Sequence, residues 1–312
     1  MKSSVWTKFA VGFLSAFYPV AAQADAITAE DLQVEAEIPN NGTNMAFGHN
    51  ALWVASGFSV LRIDPSDNSV QEVALKGASQ KQRRLLIGPK SVWIADVGAN
   101  TLFRIDSKTG ETLLAFPAEM SSSSGSIAVG ADSVWVVTAE NFERMLSRFD
   151  AITGAVQAQI DLPEIGFGTA FAGGHVWVSS GRKDEIYRVD PDNDMLVQTI
   201  ATGSSPRLMV DAAGSLWVHT IGDGAVQRID SETGEIVATI DADLPLGAGE
   251  IVARENGVSL STPYQLQFLS IDASTNSVVM RVTGRQGAED HAAGAGSLWL
   301  GGSKIRRVVP PQ

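Results

Sequence analysis

Residues 203–241 read GSSPRLMVDAAGSLWVHTIGDGAVQRIDSETGEIVATID. A short apolar segment around Leu208-Met209-Val210 leads to the tryptophan strand Leu216-Trp217-Val218. A second strand closes on Arg228-Ile229-Asp230, a four-residue turn ends at Gly234, and Ile236-Val237 opens another strand. Four short strands joined by tight turns are one blade of a propeller. The same unit recurs along the chain. Trp53, Trp93, Trp135, Trp177, Trp217 and Trp299 each follow an aliphatic residue, at successive gaps of 40, 42, 42, 40 and 82 residues. The last gap is twice the others and holds a unit in which Val258-Ser259-Leu260 replaces the tryptophan strand. The spacing matches blades of about 40–45 residues, so the sequence predicts an all-β chain with seven blades.

Two columns accompany the tryptophans. The second strand of each of the first six units ends in aspartate, at Asp64, Asp106, Asp150, Asp190, Asp230 and Asp272. Four residues later stand Asn68, Gly110, Gly154, Asp194, Gly234 and Asn276, all residue types that tolerate a left-handed backbone. A hairpin that needs one positive φ explains this column, and the aspartates can accept hydrogen bonds from turn amides. Arg62, Arg104, Arg148, Arg188 and Arg228 lie two residues before the aspartates, on the same strand face. A local Arg–Asp pair in each blade is the structural expectation for this column.

The seventh unit ends at Arg307-Val308-Val309 without its outermost strand. Val34–Pro39, VEAEIP, resembles VQAQIDLP of the third unit, so the N-terminal strand is expected to complete the last blade and leave no free edge between first and last.

Lys2 and Lys8, the apolar run from Phe9 to Ala21 and the Ala22-Gln23-Ala24 site read as a secretory signal peptide over 1–24, with the propeller domain at 25–312. The apolar run is too short to span a membrane, and no other is longer. There is no cysteine, which excludes disulfides, thiolate metal sites and a cysteine nucleophile. The expected location is periplasmic or secreted and the expected state a monomer. The formal net charge is −12, and loss of the leader's lysines makes the chain more acidic still. An acidic surface argues against nucleic acid or an anionic membrane as partner.

The segments quoted above resemble the YVTN-type propeller repeat, and the VW and LW strands are similar to those of the virginiamycin B lyase-like propellers. The resemblance covers nearly the whole mature chain. It implies the fold, and it raises a lyase that uses histidine, glutamate and a magnesium ion near the channel mouth. That group places a glutamate three residues after the blade aromatic. The matching positions here are Ser56, Asp96, Thr138, Ser180, Thr220, Thr262 and Gly302, of which only Asp96 is acidic.

Candidate site residues come from breaks in the repeat. Aligned on the tryptophan, the innermost strands begin at Asn44, Arg84, Ser126, Gly168, Arg207, Glu250 and Asp290. Asp96 ends a tryptophan strand and His291 follows Asp290. Geometry places these residues around one mouth of the channel. There Arg84 and Arg207 would clamp an anion. Glu250, Asp290 and His291 would instead hold a hard cation such as magnesium or calcium, or act as acid and base. The leading expectation is a small-molecule or protein ligand bound at this mouth, with no certain cofactor. The alternative is a divalent-cation-dependent lyase or hydrolase. His219 is expected to be a packed, hydrogen-bonded core histidine, and Asn41-Gly42-Thr43 first a turn.

Overall fold

The computed structural model describes residues 26–39, 42, 44–80, 83–120, 127–140, 143–244, 249–262, 266–284 and 290–310. Residues 1–25, which include the expected signal peptide, and Asn41, Thr43 and Ser126 lie outside the described residues. The architecture is a seven-bladed β-propeller. Its blades are antiparallel four-stranded sheets, one of which carries a fifth strand. In blade 5 the strands run Pro206–Ala212, Ser215–Thr220, Ala225–Asp230 and Ile236–Asp241 from channel to rim. The inner strands of the seven blades are Met45–Gly48, Arg83–Ile87, Ile127–Gly130, Gly166–Ala172, Pro206–Ala212, Glu250–Arg254 and His291–Gly294. Each touches the next, and the last touches the first, which closes the ring.

The N-terminal strand Val34–Ile38 completes blade 7 by pairing antiparallel with Ile305–Val308, in the register Val34↔Val308 and Ile38↔Ile305. A second N-terminal strand was not foreseen. Ala26–Thr28 adds parallel to Ser277–Thr283 at the rim of blade 6. Between the two, Leu32 is buried with Phe268 and Val282 of blade 6 and Leu298, Leu300 and Val308 of blade 7. The N-terminal arm therefore stitches two blades together.

All six repeat tryptophans are buried and face the following blade: Trp53 packs on Val92, Ile94 and Phe103, and Trp217 on Val258, Leu260 and Leu269. A ring buried this completely needs a partner for its N–H. Trp53, Trp135, Trp177, Trp217 and Trp299 donate from Nε1 to the inner-strand carbonyls of Gly48, Gly130, Ala172, Ala212 and Gly294 at 3.0–3.3 Å. Truncating one such ring to alanine costs about 3–5 kcal/mol.

The turn column adopts the expected backbone, with φ of 60° at Asn68, 77° at Gly110, 75° at Gly154, 56° at Asp194, 78° at Gly234 and 49° at Asn276. The aspartates before it cap their own turns. Asp150 Oδ1 accepts from the amides of Ile152 and Thr153, and Asp230 Oδ1 from those of Glu232 and Thr233. These bonds hold both carboxyls below their ordinary range.

The arginine column corrects the expected Arg–Asp pairing. Each guanidinium lies over the tryptophan of its own blade, from 5.1 Å for Arg148 on Trp135 to 6.0 Å for Arg62 on Trp53. Arg104, Arg148, Arg188 and Arg228 then reach the turn of the next blade, as does Arg307 of blade 7. Arg148 Nη1 donates to Pro191 O at 2.7 Å, Arg228 Nη1 to Ala273 O at 2.5 Å, and Arg307 Nη1 across the closure to Pro65 O at 2.6 Å. The aspartates are already engaged by turn amides. A planar cation that stacks and donates at once is better used between blades.

Blade 6 breaks both columns in one place. Ser259 stands at the tryptophan position and its cross-strand partner Ser270 at the arginine position. The space is filled by Phe268 and by the His291 ring of blade 7, their centroids 5.6 Å apart. Arg254 lies 5.4 Å over Phe268 and donates to Ser270 Oγ at 2.6 Å.

Candidate functional site

The channel encloses a cavity of about 340 Å³ that runs from Asn44, Arg84 and Glu250 at one mouth to Asp211 and Ala253 at the other. This volume falls within the range of about 300–1,000 Å³ usual for small-molecule sites. Between the mouths the wall is apolar, with Leu86, Val129, Phe171, Val210 and Val252 on five different blades. It is apolar because the middle residues of these inner strands are chiefly aliphatic or aromatic.

Arg84 in blade 2 and Glu250 in blade 6 form an ion pair across the first mouth, Nη1 to Oε1. Their blades stand three steps apart, the largest separation a sevenfold ring allows. The side chains are 21% and 15% exposed. Asn44, with φ of 65°, turns its Oδ1 to accept the amide of Leu85 at 2.5 Å, which ties blade 1 to blade 2 beneath Arg84.

Asp290 in blade 7 is buried, and no side chain among the described residues hydrogen-bonds either carboxylate oxygen; the Met45 and His291 amides lie beside it. Burial raises its pKa well above the ordinary 3.8 and the charge of Glu250 raises it further, while Arg84 and the nearby Met45 and His291 amides oppose the shift. Arg207 in blade 5 lays its guanidinium 4.1 Å over the ring of Phe167 in blade 4 and has no ion-pair partner among the described residues. Blades 4 and 5 approach closely here. Ser179 Oγ donates to Arg207 O at 2.7 Å, and a Cβ on Gly168 would sit 2.1 Å from that carbonyl, so only glycine fits.

The ring of candidates is thus divided. Asn44, Arg84 and Glu250 border the cavity mouth, Arg207 starts the neighbouring inner strand, and Asp290 sits buried behind them. Asp96 and His291 do not join them. Asp96 is wholly buried and binds the connection into its own blade, accepting from the amides of Ser79 at 2.7 Å and Ala99 at 2.9 Å as well as from Ser79 Oγ. His291 alternates away from the channel into the gap between blades 6 and 7. Its Nε2 lies 2.8 Å from Ser259 Oγ and its Nδ1 2.9 Å from Ser261 Oγ. Burial, and then the charge of Arg254, push its pKa down to about 3, so the ring is neutral. The expected acid–base or metal role for His291 at the mouth has no geometric basis. His219 is packed as expected, but neither ring nitrogen has a hydrogen-bond partner among the described residues, and burial lowers its pKa to about 4.

Two mouth residues escaped the sequence reading. Phe167, the platform under Arg207, directly precedes Gly168. Aligning on tryptophan picked one residue per inner strand where the mouth uses two. Asp211 lies near the far end of the strand that carries Arg207 and lines the opposite mouth, where desolvation raises its carboxyl. Among the described residues, no group of three or more histidine, aspartate or glutamate side chains is placed to hold a metal ion.

The class this geometry defines is a closed seven-bladed propeller with an apolar central channel and a charged mouth. No family model and no curated protein matches the chain. Solved structures do. A streptogramin B lyase aligns with a TM-score of 0.71 at 19% identity, over 88% of this chain and 96% of its own. The virginiamycin B lyase of Staphylococcus aureus, as its selenomethionine form, aligns with a TM-score of 0.69 at 17% identity, over 88% and 98%. BamB from Moraxella catarrhalis aligns with a TM-score of 0.58 at 14% identity, over 87% and 85%. The chain has a virginiamycin B lyase-like propeller fold. At these identities the likeness is one of architecture.

Proposed function

We propose that this protein is an exported binding propeller that takes a small ligand at the Arg84–Glu250 mouth, with part of the ligand in the apolar channel. The observation that carries this reading is the ion pair spanning the end of a cavity large enough for a small molecule. Charged groups on an apolar wall fix orientation while the wall supplies affinity. Export is proposed from the leader over 1–24 alone. The lyase alternative is weaker because His291, its acid–base candidate, is held by two serines between blades.

The test is a thermal-shift screen of residues 25–312 against anions, amines, amino acids, sugars, nucleotides and divalent cations, run in parallel on Arg84→Ala. The expected result is a class of organic ligand that raises the melting temperature of the parent and not of the variant. Stabilisation by a divalent cation alone, unaffected by Arg84→Ala, would overturn the proposal.

A further inference from the structure

We infer that the ligand is a free α-amino acid with an apolar side chain, its carboxylate on Arg84 and Arg207 and its ammonium on Glu250 and Asp290; this rests on the mouth being a binding site. The inference starts from which charges at the mouth are already used. Arg84 and Glu250 satisfy one another. One guanidinium and one carboxyl are left over. Arg207 lies on Phe167 without an acidic partner among the described residues. Asp290 is buried with no ion pair and no side-chain hydrogen bond among the described residues, only the Met45 and His291 amides lying beside it. They stand in blades 5 and 7, on either side of the blade that carries Glu250.

A simple anion would satisfy Arg207 and leave Asp290 as it is. A simple cation would do the reverse. A molecule with both charges on one carbon answers both, and it can also divide the Arg84–Glu250 pair and replace each partner's counter-charge in kind. Burial that disfavours a lone Asp290 carboxylate favours it once an ammonium arrives, so the site is set for a cation beside the acids. The apolar stretch lined by Leu86, Phe171, Val210 and Val252 lies directly inward of the pair and would take an aliphatic or aromatic side chain. A ligand built only of charged groups would leave that surface unused.

The experiment is isothermal titration of residues 25–312 with L-leucine and L-phenylalanine, and with glycine, leucinamide, N-acetyl-leucine and 4-methylpentanoate as probes that lack one element each. Parent, Arg207→Gln and Asp290→Asn proteins are compared after circular dichroism shows the same fold. The expected result is binding of leucine or phenylalanine, weakened about tenfold or more in the amide, in the N-acetyl form and in Arg207→Gln, as loss of a charge-assisted contact requires. Asp290→Asn should weaken the amino acid and leave 4-methylpentanoate unchanged. If 4-methylpentanoate or leucinamide binds as tightly as leucine, the zwitterion is wrong while binding at the mouth stands. If Arg207→Gln and Asp290→Asn bind every probe like the parent, the site itself is misplaced. If neither leucine nor phenylalanine binds, the inference falls, and the wider screen above still decides the binding reading.

Discussion

Arg84 and Glu250 meet across the full width of the channel although 166 residues separate them in sequence. No local rule couples them. The ring does, by bringing the first residues of blades 2 and 6 to one mouth. Both side chains are largely buried, so their coupling should exceed that of a surface pair. A double-mutant cycle with Arg84→Ala and Glu250→Ala should give about 1–3 kcal/mol by urea denaturation. Additive losses would show that the two groups do not meet in solution.

Asp290 gives a pH signature. A carboxyl whose folded pKa is raised holds its proton better in the native state. Its stabilising contribution is complete below the unfolded value of 3.8 and is lost as pH rises through the folded value. Asp290→Asn removes that loss. The variant's stability relative to the parent should improve as pH rises above 4 toward the folded value, in denaturant titrations. A difference that does not change with pH would mean the carboxyl is ionised and satisfied.

The buried histidines act in the opposite direction. His291 and His219 have folded values of about 3 and about 4 against an ordinary 6.5. A lowered histidine stabilises the fold above 6.5, and that stability is lost as pH falls toward the folded value. Denaturant midpoints should therefore drop between pH 6.5 and pH 4, and His219→Leu should flatten the drop. An unchanged slope in His219→Leu would contradict its burial in neutral form.

The blades were legible in the sequence because each is built from adjacent residues under a strong local rule. Tryptophan recurs every 40–42 residues, an aspartate follows 11–15 residues later and a positive-φ residue four after that, and each has one physical explanation. The N-terminal closure was legible for the same reason, as a missing strand with one spare candidate. The site was only half legible. The topology gave the mouth to Asn44, Arg84, Arg207 and Glu250. It did not say which neighbours would claim the others. Asp96 was taken by Ser79, and His291 by the gap left where blade 6 has Ser259 in place of tryptophan. The arginine column was misread because a same-strand carboxylate looked like its partner, whereas the true partners, such as Pro191 O for Arg148, lie a blade away.

The turn column can be tested at two glycines with different neighbours. At Gly234 a Cβ would meet only the movable end of Gln198, so Gly234→Asn should be mild while Gly234→Val costs about 1–2 kcal/mol. At Gly154 the Cβ would strike the Phe116 ring at 2.7 Å, so Asn there should cost as much as Val. Equal responses at the two positions would show that backbone handedness alone, without packing, sets the column.

The central claim is that the charged mouth and the apolar channel are one binding site. Val252 lines the channel and carries no charge. Val252→Trp should fill the cavity while leaving the Arg84–Glu250 pair intact. The most direct measurement is a titration, on parent and Val252→Trp proteins, of the ligand that gives the largest thermal shift. The expected result is loss of binding in the variant with little change in its melting temperature. Undiminished binding with the channel filled would contradict the claim and place the ligand elsewhere on the ring.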